Sequence, residues 1–180
     1  MERGVNLVWI DCEMTGLDPS KDVILEIATI ITDNSLAIIE EGPSLVIHQD
    51  DSALRGMSDV VRNLHKPSQL IDEVKESTIT LREAEEKTLA FLKDHCEQGL
   101  APLCGNSVWN DRNFLQAYMP RIIQYLHYRM IDVTSVKELV ARWYPNDPDL
   151  EFSKKETHRA LPDIKESIAE LRHYRKYFFV

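Results

Sequence analysis

The segment Val5-Asn-Leu-Val-Trp-Ile10 is an apolar run that stops on two acids, Asp11 and Glu13. A short run with almost no polar position is buried on both faces, so residues 5–11 read as a central strand of a layered α/β sheet. Side chains on a strand alternate with a period of two, which points both carboxylates to one face and Cys12 to the other. Adjacent buried acids repel, and a hard divalent cation between them is the usual remedy.

The rest of the chain fits an α/β domain with a mixed sheet. Ile24–Thr32 and Leu36–Ile47 are β-rich and are joined by Asp33-Asn34-Ser35, a hairpin signal. Residues 53–76 are polar and mixed, with short helices interrupted at Pro67. Thr80-Leu-Arg-Glu83 is a capping box, and Ala84, Thr88, Phe91 and Leu92 line one side of the helix behind it. A short strand over Pro102–Gly105 precedes a helix from Trp109 to Met119 that Pro120 stops. Met130–Asp132 forms a brief strand before a helix that ends near Trp143. After a polar loop over residues 144–157, the last helix carries Pro162 in its first turn and Ile164, Ile168, Leu171 and Phe178 on one face.

With 180 residues the chain is expected to form one domain over residues 1–180. No apolar stretch approaches the ~20 residues of a membrane span, so no membrane partner is expected. Cys12, Cys96 and Cys104 are odd in number and lack metal-ligand spacing, which reads as reduced thiols in a cytoplasmic protein. The net charge of −9 supplies no basic stripe for long nucleic acid. Either the substrate is not nucleic acid, or it is a short one held by metal ions and a few placed side chains.

Three further residues complete a chemical set. Asp111 opens the helix that follows the 102–105 strand, Asp163 sits in the first turn of the last helix, and His158 lies in the loop before it. Taken singly, each has a plainer reading. An Asp-x-Glu at a strand end is a solvated turn, and Asp111 and Asp163 each gain ~0.3–1 kcal/mol at a helix N-terminus. His158 alone is a surface histidine. Together, four carboxylates with oxygen-only ligation suit Mg2+ or Mn2+ and not Zn2+. Two such ions serve phosphodiester cleavage, with His158 as a general base.

The segments Trp9-Ile-Asp-Cys-Glu-Met-Thr-Gly-Leu-Asp18, Gly105-Asn-Ser-Val-Trp-Asn-Asp-Arg-Asn-Phe114, His127-Tyr-Arg-Met-Ile-Asp-Val133 and His158-Arg-Ala-Leu-Pro-Asp163 carry a family pattern. The chain resembles the DEDDh branch of 3′-to-5′ exonucleases and, within it, is similar to the oligoribonuclease family nearly end to end. The resemblance implies a ribonuclease-H-like exonuclease fold, a mixed central sheet flanked by helices. It implies two divalent cations, Mg2+ or Mn2+, held by Asp11, Glu13, Asp111 and Asp163, with His158 deprotonating the attacking water. Nucleoside 5′-monophosphates would leave from the 3′ end of short single-stranded oligoribonucleotides, down to dinucleotides.

By the same resemblance, Leu17 is an apolar wedge between bases, while His65, Ser107 and Arg129 bind the 5′ phosphate. Thr134 stands where the family commonly has serine. Tyr128, with Arg129, acts in the neighbouring subunit's site, which implies a homodimer. Val60 departs from the pattern, since the family usually stacks a tryptophan on a base there, and Lys66-Pro-Ser-Gln69 departs from a Gly-rich continuation. A proofreading-type DNA exonuclease shares the five catalytic residues. A non-catalytic nucleotide-binding module and a purely structural dimer are the remaining alternatives, and neither explains a complete acid set with His158.

Overall fold

Strand β1 (Leu7–Met14) runs through the middle of a five-stranded sheet. The fold is given by a computed structural model, which describes residues 5–155 and 157–179. Strands β2 (Ile24–Thr32) and β3 (Ile38–Val46) continue from β1 as an antiparallel meander. On the other side β4 (Pro102–Gly105) pairs parallel to β1, and β5 (His127–Asp132) parallel to β4. The spatial order is β3-β2-β1-β4-β5, a mixed sheet as the residue pattern predicts.

Every residue of β2 is buried, and Leu7 to Ile10 of β1 are buried as well. Alternation divides β1 between two cores. Val8, Ile10 and Cys12 pack with Leu92, Phe114 and Ile122 on one face. Those three belong to α4 (Leu81–His95), α5 (Trp109–Tyr118) and α6 (Pro120–Tyr125). Leu7 and Trp9 pack on the opposite face with Val140, Ile164, Ile168 and Tyr174, from α7 (Val133–Trp143) and α8 (Ala160–Phe178). Each fully buried large apolar side chain contributes about 1.5–3 kcal/mol, so the strand is pinned from both sides and its register is strongly specified. Trp9 Nε1 also donates to Thr32 Oγ1 at 3.0 Å inside the second core.

Residues 51–76 form three short helices, α1 (Asp51–Arg55), α2 (Asp59–His65) and α3 (Leu70–Glu76). The capping box at Thr80 forms as its sequence predicts. Three boundaries differ. β1 runs on to Met14, because the pairing of Cys12 with Ile27 and Glu13 with Glu26 holds the acids inside the ladder. Pro120 does end α5 but also begins α6, where its missing N–H costs nothing. The next N–H, of Arg121, is satisfied by Glu85 Oε1 at 2.9 Å. β5 starts at His127, three residues before the expected Met130. Its register jumps from His127 opposite Pro102 to Met130 opposite Leu103, a bulge that leaves Tyr128 and Arg129 out of the ladder. Among the described residues, no helix is long and apolar enough to cross a membrane.

Candidate active site

The acids meet where β1 ends and α8 begins. Asp11 and Glu13 continue the face of Leu7 and Trp9, which is the face that α8 covers. Asp163, in the first turn of α8, is thereby brought over them. Carboxylate oxygens of Asp11, Glu13 and Asp163 lie within 4.8 Å of one another, and all three residues are half-buried.

Burial, reinforced by the neighbouring charges of Asp111, Glu13 and Asp163, holds the Asp11 carboxyl well above the usual carboxylate range. Burial and then the Asp163 charge push Glu13 up to about 8. Asp163 is raised mainly by burial, against the stabilising hydrogen bond from Thr157 Oγ1 at 3.0 Å. Three closely spaced oxygen donors whose ionisation is resisted by burial and by neighbouring carboxylates fit a hard divalent cation in chemistry and in spacing.

Asp111 arrives from the other side. It is buried in the first turn of α5, and its Oδ1 accepts the Cys12 backbone N–H at 2.9 Å. That bond ties α5 to the strand segment between Asp11 and Glu13. Burial raises the Asp111 carboxyl, while the Cys12 amide lowers it. Asp111 is not one of the three mutually close carboxylates, although its charge acts on both Asp11 and Glu13.

Two histidines flank the acids. His158 is half-buried in the connection before α8, with a left-handed backbone at φ 51°. A charge on its ring favours ionised Asp163 and opposes protonation of His65, so it lies within electrostatic reach of both. His65, at the end of α2, is 3% exposed. Its Nε2 is 3.2 Å from the Met14 carbonyl oxygen, which requires that nitrogen to carry the proton. Nδ1 then stands unprotonated, without a hydrogen-bond partner and 3.7 Å from Glu13 Oε2. Burial lowers the affinity of His65 for a second proton.

The loop after β1 holds Leu17 out at 71% exposure. Its base is braced by Asp22, which accepts from Thr15 Oγ1 at 3.0 Å and from the Asp18 N–H at 2.9 Å. A Cβ at Gly16 would stand 2.4 Å from Asp22 Oδ2, so a larger residue there would have to displace this brace. Val60, on α2, is equally exposed at 71%.

Ser107 and Thr134 form a separate constellation. Their hydroxyl oxygens are 3.2 Å apart, and both line an open cavity of about 570 Å³ with Trp109, Leu139 and Arg142. His65, expected with them from the sequence, stands beside Glu13, its Nδ1 3.7 Å from Glu13 Oε2. Tyr128 is 70% exposed on the open edge of β5, and the Arg129 guanidinium lies 5.2 Å from its ring centroid. Within the described chain, Tyr128 and Arg129 face outward from the bulge.

The RNase T family, described as an exonuclease family, matches residues 8–171. An oligoribonuclease from Pseudomonas aeruginosa PAO1 is 51% identical over 178 residues, covering 99% of this chain and 98% of that protein. The oligoribonuclease of Shewanella loihica is 53% identical over 174 residues, covering 97% and 96%. The chain belongs to this exonuclease family. Within it, the full-length relatives are oligoribonucleases, and the chain is accordingly a nuclease, a phosphodiester hydrolase.

Solved structures bear on the fold of this exonuclease. Exonuclease I from Methylocaldum szegediense matches with a TM-score of 0.69 at 19% identity, over 97% of this chain and 41% of that one. E. coli exonuclease I, solved with a 5cy-dT13 oligonucleotide, matches with a TM-score of 0.69 at 16% identity, over 97% and 41%. The chain thus spans about two fifths of those proteins, and the shared part is the ribonuclease-H-like exonuclease fold. The mixed sheet flanked by helices is the architecture expected from the sequence.

Several residues that build this exonuclease site escaped the sequence reading. Arg159 joins three elements: its Nε donates to Glu26 Oε2 at 3.1 Å, and its two terminal nitrogens reach Glu73 at 2.9 and 2.8 Å. Glu26 is opposite Glu13 in the sheet and also accepts the Ala160 N–H at 3.1 Å, at the start of α8. The clamp therefore anchors the turn between His158 and Asp163 to β2 and α3. A signal was available, because Glu26 is a lone acid in a run of buried apolar residues and a buried charge demands a partner. The identity of that partner was not readable from spacing.

Proposed function

We propose that this chain is a 3′-to-5′ exoribonuclease that degrades short single-stranded oligoribonucleotides, dinucleotides included, to nucleoside 5′-monophosphates. The observation that carries the reading is the closure of Asp11, Glu13 and Asp163 to within 4.8 Å beside His158. In this reading the three carboxylates, with Asp111, hold two divalent cations, Mg2+ or Mn2+. Such ions supply a polarised water and neutralise charge on the departing oxygen. His158 takes the proton of the attacking water, and its connection to the Arg159 clamp limits how far the imidazole can wander. His65, neutral and buried against Glu13, contacts the substrate at the acid end and adds no charge there.

Binding rests on few contacts. A dinucleotide has one or two phosphates and returns little affinity through counterion release, so a net charge of −9 is compatible with it. Leu17 and Val60 offer apolar contact to bases, while Ser107, Thr134 and Arg129 serve the 5′ phosphate. Tyr128 and Arg129 do so in a neighbouring subunit of a homodimer, for which their exposure on the bulged edge of β5 is support. Residues 1–180 act as one exonuclease domain, in the cytoplasm, where Cys12, Cys96 and Cys104 stay reduced.

The test is hydrolysis of a 5′-labelled diribonucleotide with Mn2+, beside a longer RNA, single-stranded DNA and an Asp11→Ala control. Rapid conversion of the dinucleotide alone, with a dead control, is the expected result. Equal attack on the long strands overturns the preference for short RNA, and no cleavage of any substrate overturns the enzymatic reading.

A further inference from the structure

The pocket assigned to the 5′ phosphate has a directed hydrogen-bond chain behind it. Thr134 Oγ1 accepts the Ser107 backbone N–H at 2.9 Å and donates to Asn106 Oδ1 at 3.1 Å. A hydroxyl has a single proton, so that of Thr134 is committed to Asn106. Between the two hydroxyls 3.2 Å apart, Ser107 must then be the donor.

The direction is set deeper in the fold. Asn106 Nδ2 lies 2.8 Å from Ser167 Oγ and 3.0 Å from Glu170 Oε2. The Ser167 hydroxyl gives its own proton to the Asp163 carbonyl oxygen at 2.9 Å, leaving it free to accept from the amide. Glu170 is 0% exposed. It is held by Lys154 and by the Tyr174 hydroxyl, at 2.9 Å for the latter. A flipped Asn106 amide would turn its oxygen on that carboxylate, so only one orientation survives. Ser107 itself occupies a left-handed conformation at φ 46°, which a serine adopts only when its surroundings enforce it.

We infer that Asn106 is a positioning residue for recognition of the 5′ phosphate. By absorbing the Thr134 proton it makes Thr134 a pure acceptor, which fixes the Ser107 backbone through its N–H and holds the Ser107 O–H until an arriving phosphate oxygen takes that hydrogen bond over from Thr134. Thr134 then shapes the site without donating to the phosphate. Because Asn106 is also tied to α8 through Ser167 and Glu170, the phosphate donor is held in register with Asp163 on the same helix. This inference rests on the proposed role of Ser107.

Two dinucleotides test it, one 5′-phosphorylated and its 5′-hydroxyl counterpart, with Thr134→Val, Asn106→Ala and Ser107→Ala. Thr134→Val and Asn106→Ala are expected to raise KM for the phosphorylated dinucleotide about tenfold, the size of a lost charge-assisted hydrogen bond. KM for the hydroxyl form and kcat for both stay near the parent values. Thr134→Ser restores the KM lost in Thr134→Val. Adding Asn106→Ala to Ser107→Ala brings no further loss. Should Asn106→Ala fail to fold, Thr134→Val still carries the comparison. Equal KM for the two dinucleotides in the parent protein overturns the 5′-phosphate reading and the inference with it. A parent preference that survives Thr134→Val, or a loss shared equally by both dinucleotides, overturns the inference alone.

Discussion

At Glu13 the fold binds a proton more tightly than the unfolded chain does, with the carboxyl moved from 4.5 to about 8 by burial and by Asp163. A raised folded value means that the stabilisation is complete below about 4.5 and is lost as pH climbs through about 8. Metal-free protein is therefore expected to lose stability steadily across that window, and Glu13→Gln should flatten the slope. Asp11, Asp111 and Asp163 are shifted in the same direction and steepen it. Thermal unfolding in chelator from pH 5 to 8 measures this, and Mn2+ at the alkaline end should raise Tm. A parent protein with a level profile would mean that these acids ionise without a penalty from burial or from one another. His158→Ala should lower kcat by about 10²–10⁴ while leaving the Mn2+ effect on Tm intact, which separates a proton acceptor from a ligand. Val60→Trp, at a position with open space around it, should lower KM for dinucleotides several-fold through base stacking at unchanged kcat. Identical steady-state constants would remove stacking at this position from the account.

Between elements, the decisive contact is the Arg159 clamp. The Arg159 guanidinium joins β2 through Glu26 and α3 through Glu73, and Glu26 in turn accepts the Ala160 N–H at the start of α8, so the ion pair holds the site's back wall. The Glu26 side chain is 2% exposed, that of Glu73 43%. Removing the cation strands Glu26 in the interior while Glu73 returns to water. Arg159→Ala should thus cost about 3 kcal/mol, near the low end for a broken buried pair. Adding Glu26→Gln to Arg159→Ala should recover part of it, because the buried charge is then gone. Urea unfolding of the single and double variants decides, and additive losses would show that Glu26 is not the group left unpaired.

For the whole molecule, the open edge of β5 is where a second copy is expected to contribute. In the proposed homodimer, Tyr128→Ala and His158→Ala would place their defects in different subunits' halves of one site. Mixing the two inactive proteins should regenerate about a quarter of the parent activity, since half of the dimers are mixed and each has one intact site. A mixture as inactive as its components would put Tyr128 in the site of its own subunit. Sedimentation of the parent protein gives the mass that this experiment presupposes.

Local chemistry was legible in the chain itself. The apolar run into Asp11 and Glu13, the alternation that puts both on one face, the Thr80 capping box and the helix starts at Asp111 and Asp163 follow from propensity and period, which act over a few residues. The family motifs added the roles expected of His158 and its partners. What only tertiary structure decided involves pairs far apart in the chain. Examples are Cys12 with Asp111, Arg159 with Glu26 and Glu73, and Asn106 with Thr134 and Glu170. Pro120 and the bulge at Tyr128 belong to the same class, because a stop signal and a helix start share one residue type and a bulge depends on the partner strand. Sequence spacing states that a buried charge or amide must be satisfied; the packing of sheet and helices selects the group that satisfies it.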